Sequence, residues 1–315
     1  MLDTLEQIFP YAIAYTVPLL LAALGAVFCE RSGVVNVGLD GLMICGSFVG
    51  AYVIVTLENQ GNAYALWIGL IAAVVAGIIF SLLHAFASVT LNANQVISGT
   101  AINMIAGALT VFLARNITGS GNIRIGLGFV PVDIPVLSSI PLIGPLFFTK
   151  TYATTWVALV ILAISAVILN KTSFGLRLKA CGEHPEAADS VGINVYKMRY
   201  IGVMLSGALA SLAGAVIIVT YGGEFNGSVS GLGFLALAAL IFGQWKPLGV
   251  LGATFFFGFA STLANVSQVM PELASIPMVY LKIFPYVATL LVLVFFSKRS
   301  RAPKASGEPF EPGKR

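Results

Sequence analysis

The sequence predicts an all-α polytopic membrane protein with about nine transmembrane helices, in a range of about 8 to 10. Of its 315 residues, 58% are hydrophobic and 10% are charged, whereas soluble domains carry about 25% charged residues. Apolar runs recur near the ~20 residues that a helix needs to cross a bilayer, and short polar islands separate them. This pattern excludes an ordinary globular protein and predicts a single transmembrane domain over residues 1–315.

One predicted span is too short to cross a bilayer. About twelve helical residues at 232–243 reach only ~18 Å of a ~30 Å hydrocarbon core. The glycine-rich stretch GGEFNGSVSGLG overlaps its start, and membranes tolerate such non-helical backbone only inside protein or beside a wet cavity. We therefore predict half of a broken helix or a re-entrant segment. The nine predicted spans are 10–28, 37–57, 63–88, 95–115, 151–170, 199–220, 232–243, 248–269 and 277–297.

Basic residues predict the orientation, because lysine and arginine accumulate on cytoplasmic loops. Six of them follow Ser297, which places the tail 298–315 in the cytosol. Alternation back along the chain places 171–199 in the cytosol, 116–150 outside and the N-terminus outside. The net charge of +4 follows from this topology, so no nucleic-acid partner is predicted. We expect a multi-pass protein of the cytoplasmic membrane, in contact with membrane lipids.

The longest polar island, Lys171 to Arg199, carries helix start and stop signals. Pro185 suits the first helical position, where its missing N–H costs nothing. Glu183 and Glu186 place negative charge at the positive end of the helix dipole. Gly192 suits the left-handed residue just past the last turn. The island therefore predicts a short cytosolic helix of about two turns, roughly 10 Å long.

The segment 119–150 combines apolar residues with prolines that prevent a continuous spanning helix. It is predicted to be an outer lid or a re-entrant piece, and a surface loop packed on the bundle is the alternative. Its prolines are Pro131, Pro135, Pro141 and Pro145.

Two stretches suggest an inverted repeat. Gly33–Ala51 and Gly227–Gly243 each run from a glycine-rich start into a small-residue helix, and on the predicted topology they enter from opposite sides. Many transporters are built from inverted halves with the substrate path between them. Chance similarity between glycine-rich apolar segments is the alternative.

The sequence contains no enzyme constellation. His84 and His184 stand without HExxH, paired carboxylates or a GxSxG elbow, and there is no GxxxxGK[ST]. We therefore predict no catalytic residue, no metal and no cofactor, and any ATP-driven activity requires a partner. Asp40 lies inside a predicted span, where a role in capping backbone or pairing Arg31 is favoured over a functional charge. Lys282 is expected to reach the headgroups.

Neutral polar side chains mark a candidate path for a small molecule. Amide side chains can form hydrogen bonds with the hydroxyls and base edges of a neutral polar solute, whereas a site for an ion or an amino acid would require charged side chains. The alternative is that these amides and serines hold transmembrane helices together. The candidates for the path are Asn36, Asn94, Gln95, Ser98, Asn103 and Asn226.

Three stretches carry a resemblance to a known family: GLRLKACGEHPEAADSVGINVYKMR in the island, ERSGVVNVGLDGLMICGSFVGA at 30–51 and NANQVISGTAINMIAGAL at 92–109. They resemble permease subunits of bacterial ABC importers with the type II fold, in the family of ribose, branched-chain amino acid and nucleoside permeases. The segments GEHPEAADSVGI and ANQVISGTAIN are most similar to those of the nucleoside permeases.

This resemblance implies an importer subunit that works by alternating access in a bacterial cytoplasmic membrane. It implies three partners: a cytosolic ATP-binding cassette subunit, a second permease subunit in a heterodimer, and an extracytoplasmic substrate-binding lipoprotein. Simple sugars or branched-chain amino acids are alternative substrates, and an ion-coupled secondary transporter is the alternative class. The residues implied to contact the ATPase, within the loop 171–199, are Glu183, His184, Pro185, Glu186, Ala187, Ala188, Asp189 and Gly192.

Overall fold

A computed structural model describes residues 2–141, 143–266, 279–280, 283–284, 287 and 302–311. Within these residues α-helices dominate, and a single two-stranded ribbon accompanies them. The helices are α1 Leu2–Arg31, α2 Leu39–Glu58, α3 Ala65–Ala85, α4 Gln95–Thr118, α5 Ile143–Phe147, α6 Ala153–Lys171, α7 Ser173–Glu183, α8 Pro185–Ser190, α9 Val195–Ile217, α10 Leu232–Phe242 and α11 Pro247–Val266; the strands are β1 Ile123–Arg124 and β2 Glu224–Phe225. One π-helical turn extends α3 over Phe86–Thr90, and another extends α9 over Ile218–Gly222.

Seven helices in the described part are long and apolar enough to cross a membrane, which confirms the polytopic helical class. They match seven of the nine predicted spans. The predicted short span 232–243 is the 11-residue helix α10, and the predicted span 277–297 lies almost wholly outside the described residues. The seven candidate spans are Ile8–Arg31, Leu39–Glu58, Ala65–Thr90, Gln95–Thr118, Ala153–Lys171, Val195–Gly222 and Pro247–Asn265.

Glycines let the central helices α1, α2 and α9 pack backbone to backbone. A Cβ on Gly214 of α9 would overlap the Met43 carbonyl of α2, and a Cβ on Gly46 of α2 would overlap the Ser211 carbonyl of α9. The Ser211 hydroxyl adds a 2.7 Å hydrogen bond to the Leu42 carbonyl. Small residues at helix contacts are how membrane helices approach closely, so these three helices form the buried centre, while α3, α4 and α6 keep large apolar side chains exposed.

The helices define two ends of the bundle. The α7 end holds Arg31, the helices α7 and α8, and the turn between α10 and α11. The ribbon end holds the β1–β2 pair, in which Ile123 lies opposite Phe225. The proline-rich segment lies across the ribbon end: the Gly126 N–H donates to Glu58 Oε2 at 2.9 Å. This segment contains no long helix among its described residues.

The polar island holds two short helices instead of the one predicted. The helix α8, Pro185–Ser190, is the predicted one, and Gly192 has the expected positive φ of 82°. The helix α7, Ser173–Glu183, was not predicted, because only one of its faces is apolar and its hydropathy is low. Its start signal is Thr172, whose Oγ1 accepts the Gly175 N–H at 3.2 Å.

Candidate functional site

Helix α8 presents a polar face to its surroundings. Glu186, Ala187 and Asp189 are exposed, whereas Ala188 is 3% exposed and joins the buried core. Pro185 occupies the first helical position and is buried. The predicted contact residues on the outward face of α8 are therefore exposed, and those on its inward face pack against the bundle. The other predicted members are His184, exposed, Glu183, half-buried, and Gly192, exposed.

A polar junction connects this region to α1 and to the α10–α11 turn. Arg31 Nη1 lies 3.7 Å from Glu183 Oε1, and Arg31 Nε and Nη2 donate to the Trp245 carbonyl at 3.2 and 3.1 Å. The Trp245 indole N–H donates to Glu30 Oε2 at 2.6 Å. Gln244 and Trp245 both have positive φ, a conformation that costs free energy in residues with a side chain. Arg31 therefore joins the end of α7 to α1 and to the turn that precedes α11.

The segment 302–311, within the predicted tail, docks on the α7 end. The Ala305 N–H donates to the Gly182 carbonyl at 2.9 Å, and the Gly307 N–H donates to the Gly33 carbonyl at 3.2 Å. Arg199 is 1% exposed and donates from Nη1 to the Glu308 carbonyl at 2.9 Å. The tail therefore joins α7, the α1–α2 connector and α9.

Two further features complete this end. Phe310 is buried and packs edge-on against Tyr196, with ring centroids 5.5 Å apart. Burial raises the pKa of the Cys181 thiol to about 11, and burial lowers the pKa of Lys179, an effect to which the charge of Arg31 adds. Cys181 is therefore a neutral, unreactive thiol at physiological pH.

Polar side chains of α3 and α4 hold the α1–α2 connector, residues 32–38, at its first half. The Val35 N–H donates to Gln95 Oε1 at 2.6 Å. His84 places Nε2 3.1 Å from the Val35 carbonyl and Nδ1 3.0 Å from the Ser98 hydroxyl. Because a carbonyl only accepts, Nε2 carries the proton.

Two asparagines hold the second half of the connector and the start of α2. Asn36 donates from Nδ2 to Ser206 Oγ at 3.0 Å, and its Oδ1 accepts the Gly38 N–H at 3.0 Å. Asn103 Oδ1 accepts the Gly41 N–H at 2.7 Å, and its Nδ2 donates to the Val37 carbonyl at 3.0 Å. Four of the six predicted path residues, namely Asn36, Gln95, Ser98 and Asn103, thus lie in one network around the connector. Their contacts are those of helix packing, the alternative considered for them.

The remaining two predicted path residues lie apart from this network. Asn94 is exposed and caps α4, since its Oδ1 accepts the Val96 and Ile97 N–H groups at 3.0 and 3.1 Å. Asn226 lies near the ribbon end and lines a cavity.

The N-termini of α2 and α10 meet inside the bundle. Asp40 Oδ1 accepts the Gly233 N–H at 3.0 Å, and a Cβ on Gly233 would overlap the Asp40 backbone. Asp40 therefore caps backbone, one of the two structural roles expected for it, while Arg31 pairs with Glu183 instead. Lys282 lies outside the described residues. The two glycine-rich starts identified in the sequence thus come into direct contact, and the inverted repeat stays a prediction.

The cavity has a volume of about 540 Å³ and lies between α1, α2, α10, α11 and the π-helical turn of α9. Small-molecule sites typically enclose ~300–1,000 Å³. Tyr15 and Tyr221 form one wall, with ring centroids 4.4 Å apart. Neutral polar residues that line the rest include Ser47, Asn226, Ser261 and Asn265. Except for Asn226, these residues could not be selected from the sequence, because single hydroxyls and amides inside apolar spans have no local pattern.

Together, these features define a polytopic helical membrane protein with short helices displayed at one end and a polar cavity near the other. A family model described as branched-chain amino acid transport system / permease component matches residues 9–293. The chain belongs to this family of permeases, and is therefore a transporter component.

Individual relatives match over most of the chain. The guanosine ABC transporter permease protein NupQ of Bacillus subtilis is 48% identical over 313 residues, which cover 99% of this chain and 98% of that protein. The nucleoside ABC transporter permease protein NupC of Lactococcus lactis is 40% identical over 306 residues, with 97% and 96% covered. A second guanosine permease protein of Bacillus subtilis, NupP, is 26% identical over 264 residues, with 81% and 71% covered.

Proposed function

We propose that this chain is a permease subunit of an ATP-driven importer that moves nucleosides across the cytoplasmic membrane by alternating access. The relatives NupQ and NupC, whose names specify guanosine and nucleosides, support the substrate class. The uncharged polar residues of the cavity suit a neutral solute with several hydroxyls and amides.

The α7 end carries the proposed contact with a cytosolic ATP-binding cassette subunit and faces the cytosol. The single observation that carries this proposal is the displayed helix α8, whose inward residue Ala188 is buried and whose outward residues Glu186, Ala187 and Asp189 are exposed. Glu183, which pairs with Arg31, ends α7 just before α8, so a push on α8 would reach α1 and the α10–α11 turn through the end of α7. These elements also line the cavity or lead to it.

A second, different permease subunit completes the transporter in this proposal, and an extracytoplasmic lipoprotein delivers the solute to the ribbon end. Two distinct permease proteins of Bacillus subtilis are named for guanosine, and this chain is similar to both. The large apolar side chains exposed on α3, α4 and α6 offer surfaces for lipid and for that subunit.

The test is ATP-dependent nucleoside uptake by the complete transporter in proteoliposomes. We expect Ala187→Arg to abolish uptake and nucleoside-stimulated ATP hydrolysis, because a bulky cation then lies on the exposed face of α8. The matched control is Ala93→Arg, an equally exposed alanine at the same end, between α3 and α4, which should transport normally. Normal uptake by Ala187→Arg would refute the proposed contact.

The alternative class, an ion-coupled secondary transporter, makes the opposite prediction. Uptake by this chain would then survive removal of ATP and collapse when an ionophore dissipates the gradient. Competition by excess glucose or leucine, without competition by guanosine, would refute the nucleoside assignment and leave the importer class intact.

A further inference from the structure

We propose that the cavity between Tyr15, Tyr221 and Asn226 is a binding site for an uncharged nucleoside within this subunit. This inference rests on the proposed function and adds to it a location, a recognition mode and a selectivity against nucleotides.

The aromatic wall supplies the first argument. Tyr15 of α1 and Tyr221 of the π-helical turn lie with ring centroids 4.4 Å apart and planes 33° apart. At this separation the two rings stack on each other, and both line the cavity, so the pair offers the cavity the aromatic surface that this stacking leaves uncovered. Every nucleobase has a planar π-face, and stacking on aromatic side chains is how proteins hold bases without regard to their edges.

An unused hydrogen-bonding group supplies the second argument. The Tyr221 hydroxyl is fully buried and has no hydrogen-bond partner among the residues that the structure describes. Buried polar groups are nearly always paired, so an exception at a cavity wall indicates a missing partner. The ribose hydroxyls and the ring nitrogens of a nucleoside are acceptors that would pair with it after a small rotation of the tyrosine side chain, because the hydroxyl has no accessible surface in this structure. The π-helical turn Ile218–Gly222 places this tyrosine, and such turns recur at functional sites.

The charge of the lining supplies the third argument. Its polar side chains are tyrosine, serine and asparagine, together with Glu224 in β2, and no lysine, arginine or histidine belongs to the described lining. A phosphate group would meet a carboxylate and no cation, which is unfavourable in a partly desolvated site. The cavity therefore accepts nucleosides and rejects nucleotides through repulsion as well as through fit.

Substituted-cysteine protection tests this site directly in the complete transporter. The three native cysteines of this chain are buried, so within this subunit a hydrophilic thiol reagent should label an introduced cysteine selectively. Asn226→Cys places the thiol in the cavity, and Ser120→Cys places an exposed thiol near the same end but outside the lining. We expect guanosine to slow labelling of Asn226→Cys about tenfold or more at saturation, and guanosine monophosphate and glucose to have no effect. Labelling of Ser120→Cys should be unaffected by all three solutes.

The tyrosine hydroxyl is tested in the Asn226→Cys background. Tyr221→Phe keeps the ring and removes the hydroxyl, so the guanosine concentration that gives half-protection should rise roughly tenfold, as expected for one lost buried hydrogen bond. Tyr11→Phe is the matched control, since Tyr11 lies on the same helix as Tyr15 but is 53% exposed and outside the lining. It should leave the half-protecting concentration unchanged.

The outcomes separate the site from the proposed function. If the transporter that carries Asn226→Cys still takes up guanosine but guanosine does not protect its thiol, the site is refuted and the function stands. Equal protection by guanosine monophosphate would refute the selectivity argument. If the transporter takes up no nucleoside and glucose protects the cavity instead, both the function and the nucleoside site are refuted.

Discussion

Asn103→Ala should destabilise the permease more than any exposed polar substitution on α4. The substitution removes two hydrogen bonds, the 2.7 Å bond from the Gly41 N–H and the 3.0 Å bond to the Val37 carbonyl. Gly41 is buried at the first turn of α2, so water does not replace the lost acceptor. A buried group left unpaired costs about 1–3 kcal/mol. With one fully buried and one half-buried group affected, we expect a loss of about 3 kcal/mol in the free energy of unfolding.

The assay is unfolding of the purified subunit in mixed micelles titrated with a denaturing detergent. Asn94→Ala is the matched control, because Asn94 also accepts backbone N–H groups of α4 but is exposed. Loss of that cap should cost only about 1 kcal/mol. Asn103→Asp keeps an acceptor for the Gly41 N–H and loses the donor to the Val37 carbonyl, so its free energy of unfolding should fall between that of Asn103→Ala and that of the wild type.

The result that would refute this reasoning is an Asn103→Ala protein with wild-type stability and altered solute selectivity. Asn103 would then belong to the substrate path, as the sequence suggested, and its contacts with the connector would be incidental. Unchanged stability together with unchanged transport would show that the connector finds other partners, and would refute the packing argument as well.

Four further substitutions have defined outcomes. Gly233→Ala should lower the free energy of unfolding by about 1–3 kcal/mol, because the added Cβ collides with the start of α2. Gly107→Ala should raise it by up to about 1 kcal/mol, because a Cβ there meets nothing within 4 Å and alanine favours the helix. Unfolding in denaturing detergent measures both values. Trp245→Phe should lower the free energy of unfolding by about 2 kcal/mol, because the buried Glu30 side chain loses its hydrogen-bond donor. A free energy of unfolding equal to that of the wild type at neutral pH would contradict this. Phe310→Ala should release the tail, because the ring contact with Tyr196 is lost. A protease should then cleave the C-terminal residues faster in inside-out vesicles. An unchanged cleavage rate would show that the tail is held without this ring.

The sequence predicted the helical class, seven long spans and the helix α8, because each of these is local. Hydropathy over about 20 residues identifies a span, and a proline followed at short distance by a glycine delimits α8. The helix α7 is not predicted from the sequence, because its apolar face is narrow. The sequence predicts that the sixth span begins at Arg199, whereas α9 begins at Val195. An arginine is expected at the edge of a span, but Arg199 is buried inside the helix because its guanidinium donates to the backbone of the tail, far along the chain.

The roles of polar residues were harder to predict, because they depend on contacts across the fold. The sequence offered two interpretations for Asn36, Gln95, Ser98 and Asn103, and only the folded connector shows what they bond. The cavity wall formed by Tyr15 and Tyr221 joins residues of α1 and α9 that share no sequence signal. The polar segment Glu224 to Ser230, which contains Asn226, could be selected in advance.

The docked tail also bears on the order in which the protein is completed. Residues 302–311 are translated long after α7 and the start of α9, yet they supply backbone partners for Gly33, Gly182 and Arg199. A ribosome-bound chain with its first spans already inserted therefore still lacks part of its α7 end. An ATPase that binds this end, as proposed, would therefore meet a complete surface only after residues 302–311 have been made and have docked.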